Sequence, residues 1–159
     1  MKIMPQQAFQ DLWPEQYSHC FGCGRNNEHG LQIKSFWDGD ETICTWAPSE
    51  IYEAGLGVLC GGIVSTLIDC HCVNTAIAAL YKSEGREPGS KPFIPFAGGS
   101  INMRHMKPIS IKKPVVLRAK VIELKDRKAI ITCKVFSGKT ECAKAEVIAI
   151  KAPESTWIK

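Results

Sequence analysis

The spacing of apolar and polar positions changes three times along the chain. LQIKSFW (31–37) and TICTWA (42–47) alternate their faces on either side of DGDE, the pattern of a β-hairpin. CGGIVSTLIDCHCVNTAIAALY (60–81) is too long for a strand and apolar around its whole axis. It predicts a fully buried helix of about five or six turns, ended by the polar Gly/Pro linker YKSEGREPGSKP (81–92). SINMRHM (100–106), PVVLRAKVIEL (114–124), AIITCKVFSG (129–138) and ECAKAEVIAIKA (141–152) then predict three or four strands, turning at DRK and SGKT. Their apolar residues alternate with Lys, Arg and Glu, as a sheet with one wet face requires. Upstream, Gln6 to Trp13 predicts a short helix stopped near Pro14, and SHCFGCGRNNEHG (18–30) a turn-rich loop.

Hairpin, long helix and antiparallel meander define an α+β chain, read as one domain over 1–159 with a core at 31–152. One sheet must curve around the helix to bury it, and its far side then needs another cover. A two-fold partner subunit is the expected cover.

Composition narrows the partners. Residues 1–81 carry 3 Lys/Arg against 9 Asp/Glu, and residues 82–159 carry 17 against 7. The basic half either solvates strand faces or steers an anionic ligand. Its cations alternate with apolar residues and lack RNA-binding or zinc-finger signatures, which argues against nucleic acid. The helix is long enough to span a bilayer, but Asp69, His71 and Asn74 would be costly in lipid, so no membrane role is expected. The N-terminus shows no signal-peptide pattern, so the expected location is cytoplasmic and the eight cysteines are expected to be mostly free thiols.

Asp69 is the lone acid of the buried helix. Ser65 or Thr66, on a shared face, could satisfy it; otherwise it is a base or nucleophile in a crevice, its pKa raised by apolar surroundings. Gly61 and Gly62 leave the first N–H groups of the helix uncovered, a site for a developing oxyanion. Eight residues, about 12 Å of helix, separate Gly61 from Asp69, too far for one substrate atom to touch both within one chain. A two-fold dimer can bring Asp69 of one copy toward Gly61 of the other.

GVLCGGIVSTLID (57–69) resembles the His-Gly-Gly-x7-Asp stretch of hot-dog-fold acyl-CoA thioesterases, of the phenylacetic-acid-pathway and 4-hydroxybenzoyl-CoA types. CFGCGRNNEHGLQIKSF (20–36) and SINMRHMKPI (100–109) resemble its flanks, and coverage runs from Cys20 to Lys151. The resemblance implies a curved antiparallel sheet around one central helix, assembled as dimers or tetramers. It also implies thioester hydrolysis, with the Gly61 N–H polarising the carbonyl, Asp69 as general base or nucleophile, and coenzyme A present only as part of the substrate. Cys60 stands where relatives have histidine, Gly98 near a position where they carry Ser or Thr, and Ala54 where some have Asn, with Glu53 a weak substitute. Ser100 is close to Gly98 but expected on the other side of the strand. Cys60, Gly62, Thr66, Gly98 and Ser100 are the expected substrate contacts, and Arg104, Lys107, Lys112 and Lys113 the expected phosphate-binding cluster. A non-hydrolysing acyl-CoA-binding protein is the alternative. A hydratase is disfavoured because Asp69 is followed by Asn74 where an Asp-x4-His pair would have histidine.

His19, Cys20, Cys23 and His29 form an H-C-x2-C-x5-H set, yet without a second Cys-x-x-Cys the expectation is no metal. Cys70, His71 and Cys72 point about 100° apart and read as core groups. Cys60 at the helix start has the position of a lowered-pKa thiol but no histidine nearby in sequence.

Overall fold

The structure, a computed structural model, describes residues 6–156. Its helices are α1 (Phe9–Leu12) and α2 (Gly61–Ser83). Its strands are β1 (Ser35–Asp38), β2 (Glu41–Trp46), β3 (Glu53–Gly55), β4 (Val58–Leu59), β5 (Phe96–His105), β6 (Val115–Lys125), β7 (Lys128–Ser137) and β8 (Thr140–Lys151). Six strands form one antiparallel sheet in the order β1-β2-β6-β7-β8-β5, and β3 pairs with β4 in a small hairpin.

The period-2 pattern places Val115, Leu117 and Ala119 of β6, Ile131, Cys133 and Val135 of β7, and Ala143, Val147 and Ala149 of β8 on the buried face. These meet Val64, Leu67, Ile68, Cys72 and Ala76 of α2 in one hydrophobic core. Burying each Leu, Ile or Val contributes about 1.5–3 kcal/mol, and the alanines of β8 let sheet and helix approach closely. By length and apolar content α2 could cross a membrane, but the chain's own sheet packs around it.

The fully buried polar residues of α2, His71, Asn74 and Thr75, are each matched by a partner from another element. Ser35 Oγ lies 2.8 Å from His71 Nδ1, Thr42 Oγ1 lies 3.3 Å from His71 Nε2 and 2.6 Å from Thr75 Oγ1, and the Gln10 amide donates to Ser35 Oγ at 3.0 Å. Trp13 Nε1 donates to Asn74 Oδ1 at 2.6 Å. Among the described residues no fully buried side-chain nitrogen or oxygen lacks a partner. Burial pushes the His71 imidazole down to about 4, so the ring is neutral near pH 7.

The sequence-based expectations need four corrections. Helix α1 is one turn, Phe9–Leu12, shorter than the expected Gln6 to Trp13. Strand β5 begins at Phe96 instead of Ser100, because Gly98 and Gly99 interrupt the alternation that marks a strand. The β3–β4 hairpin had no apolar alternation to announce it; all of β3 is exposed. The far side of α2 is covered in part by the chain itself: Trp13 stacks on Tyr81 with ring centroids 6.0 Å apart, and Arg25 Nη1 donates to the carbonyls of Gln10 and Trp13 at 3.1 and 2.7 Å, tying the 18–30 loop to α1.

Replacing the imidazole by a ring of similar size that cannot hydrogen-bond leaves buried hydroxyls unmatched. His71→Phe is expected to lower stability by about 1–3 kcal/mol, read as a lower urea midpoint at unchanged slope; an unchanged midpoint would show that the network contributes nothing net.

Candidate active site

Helix α2 is least covered along Gly62, Thr66, Asp69 and Val73, which fall on one face. Asp69 is half-buried in the middle of this stripe. It opens into a hollow of about 410 Å³ between α2, the N-terminal segment and the start of β5, with Trp13, Tyr17, Val73, Phe93 and Phe96 in its wall. That size suits a small acyl or aryl group.

Gly98 of β5 abuts the acid: a Cβ there would lie 2.5 Å from Asp69 Oδ1. Neither expected hydroxyl satisfies the carboxylate, since Thr66 Oγ1 donates to the Gly62 carbonyl at 3.0 Å and Ser65 Oγ lies 3.9 Å from Met103 Sδ. Burial pushes the Asp69 carboxyl above its ordinary range, and negative charge on nearby Cys20 acts in the same direction.

The other end of the site is the start of α2. Cys60 occupies the N-cap without a side-chain hydrogen bond, so the N–H groups of Gly61 and Gly62 have the free geometry of a helix start. Gly61 lines a second hollow of about 450 Å³ with Ala54, Val64, His105 and Lys107. His105 Nε2 would lie 3.4 Å from a Cβ placed on Gly61. Sequence reasoning passed over this histidine, since nothing local in SINMRHM says which way it points. Glu53 is engaged elsewhere, accepting from the Gly57 N–H, which removes it as the substitute for asparagine.

A β-bulge at Gly99 shifts the register of β5 on β8: Gly98 faces Ala149, but Ser100 faces Ile148 and Arg104 faces Lys144. Ser100 and Arg104 thus take the outer face of the sheet while Met103 and His105 turn inward. Arg104, Lys144, Lys134 and Arg118 then stand side by side across four strands. The expected phosphate-binding cluster is therefore divided, with Lys107 beside Gly61 and Arg104 on the opposite face. Lys112 and Lys113 lie in the loop before β6.

The H-C-x2-C-x5-H set does not assemble. His19 Nε2 lies 3.6 Å from Glu15 Oε1, and neither it nor His29 joins the cysteines. Instead Cys70 of α2 meets Cys20 and Cys23, the three sulfurs lying within 4.8 Å of one another. Cys70 is thus more than the small core hydrophobe expected of it, whereas Cys72 turns to Cys133 in the core.

A curved antiparallel sheet wrapped around one long helix, with an acid in its middle and paired glycines at its start, is the hot-dog architecture. The chain belongs to the thioesterase superfamily, whose family model matches residues 56–144. Among solved structures, a thioesterase superfamily protein from Shewanella loihica is similar at 26% identity with a TM-score of 0.67, covering 87% of this chain and 97% of its own. A thioesterase from Haemophilus influenzae is 18% identical with a TM-score of 0.61, covering 76% and 78%. The PaaI protein of the phenylacetic acid degradation operon of E. coli is 10% identical with a TM-score of 0.62, covering 77% and 80%. At these identities the last two share the fold alone. No curated relative matches the sequence.

Proposed function

We propose that the protein hydrolyses an acyl-CoA or related acyl thioester in a site shared by two copies of the chain. The observation that carries this reading is Asp69, a half-buried carboxylate without a hydrogen-bonding partner among the described residues, facing an aromatic-walled hollow. Asp69 takes a proton from water, the resulting hydroxide adds to the thioester carbonyl carbon, and the oxyanion is held by the Gly61 N–H of the other copy. Collapse of the adduct expels the thiolate and leaves the free acid. Direct attack by the carboxylate, followed by hydrolysis of the anhydride, uses the same groups. The acyl group occupies the hollow beside Trp13 and Phe93, and Lys107, next to Gly61, meets the phosphates of coenzyme A.

Two features support the shared site. Gly61 and Asp69 line separate hollows of one chain. Strand β5 ends the sheet with an open edge and exposes Ile101 on its inward face, and a ten-residue unpaired edge favours pairing with a second copy. The alternative, a protein that binds acyl-CoA without cleaving it, is favoured by Gly98, which puts no hydroxyl beside Asp69 to hold the water.

Thiol release from a panel of short, long and aromatic acyl-CoAs decides between them. Turnover of at least one thioester is expected, falling by about 100-fold to 10,000-fold in Asp69→Asn with circular dichroism unchanged; binding without thiol release would establish the alternative. Gly98→Ala must push the carboxylate aside, and is expected to cut turnover more than it lowers the melting temperature. Ile101→Lys places a charge at the open edge, and sedimentation is expected to show monomers that are folded and inactive. An active monomer would refute the shared site.

A further inference from the structure

We propose that Cys20, Cys23 and Cys70 bind a zinc ion that fastens the 18–30 loop to helix α2 beside Asp69. Zn–S bonds of about 2.3 Å in a tetrahedral site set the sulfurs about 3.8 Å apart. Cys20 Sγ and Cys70 Sγ, fifty residues apart in sequence, stand 3.8 Å from one another, and all three sulfurs lie within 4.8 Å. Three thiols with no carboxylate among them form a soft donor set that selects zinc over magnesium or calcium.

The backbone around the cluster leaves no slack. The Gly24 N–H donates to the Cys20 carbonyl at 2.8 Å, closing the Cys-x-x-Cys turn. A side chain on Gly24 would collide with the backbone of Ser18 and Cys20, and one on Gly22 with the Cys70 sulfur itself. The Asn74 amide donates to the Cys70 carbonyl at 2.7 Å, so the residue that presents the third sulfur is itself held in place. The Cys20 and Cys70 thiols already share a hydrogen bond. A bound cation replaces those thiol protons, so zinc uptake releases protons. The fourth coordination position is left to water, because His19 turns to Glu15.

The test uses the full-length protein purified without chelator or metal-affinity resin. Elemental analysis is expected to find about one zinc per chain. After chelation, added cobalt(II) is expected to give the sulfur-to-cobalt charge-transfer band and visible bands of a tetrahedral thiolate site. Cys20→Ser and Cys70→Ser should lose that spectrum, and Cys142→Ala, a buried cysteine elsewhere, should keep it. Chelation should lower the melting temperature of the parent and of Cys142→Ala but leave that of Cys70→Ser unmoved. Folded protein with three free thiols and no cobalt spectrum would overturn the proposal, as would a Cys20–Cys70 or Cys20–Cys23 disulfide found by non-reducing mass spectrometry. None of these readouts depends on thioester turnover, so the metal site and the proposed hydrolysis fail or stand separately.

Discussion

The fold rests on one constraint: α2 has no polar face to give to water. An amphipathic helix needs cover on one side, whereas this one needs it on nearly every side, and a flat sheet cannot supply it. Five of the sheet's six strands therefore turn apolar residues toward it, and the N-terminal segment packs Trp13 against its C-terminal half. What stays open is the narrow stripe from Gly62 to Val73. An acid on that stripe is shielded enough to be raised in pKa yet reachable by a ligand, a combination that neither a fully buried nor a surface carboxylate provides.

Helical rise then separates the chemistry into two stations. Gly61 and Asp69 are held on one rigid element, so their spacing cannot adjust by local motion. Each station collects its own company: aromatic rings and thiols around the acid, a histidine and a lysine around the helix start. A substrate long enough to need both an apolar pocket and an anion-binding surface matches this division better than a small compact one.

The central helix and the paired strands were legible because each carries an unbroken period: β7 alternates buried and exposed residues through Val135, and α2 runs over six turns with only one carboxylate. Asp69 was legible for the same reason, as an exception to a strong pattern. Where glycines break the pattern, reading failed. Gly98 and Gly99 hid the start of β5, and the bulge decides the faces of Arg104 and His105; Arg104 was read as a ligand group only from its place in a basic cluster, and His105 was passed over. The thiol cluster was illegible for another reason: Cys70 lies fifty residues from Cys20 and is joined to it only by packing. The cover supplied by Trp13 belongs to the same class, since its partners Asn74 and Tyr81 lie far along the chain.

The bulge at Gly99 has a meaning in the arithmetic of the strand. Gly98 touches the acid and His105 the helix start, yet seven positions separate them, an odd number that in a regular strand would send them to opposite faces. One unpaired residue corrects the phase, so a single strand serves both stations. Between these two contacts the chain is consequently intolerant of odd changes in length. Losing or gaining one residue would carry His105 to the outer face of the sheet and Arg104 to the helix-facing one, whereas a change of two would keep both faces and alter only the spacing. The unpaired glycine at this sheet edge is the counterweight that keeps two sites in step.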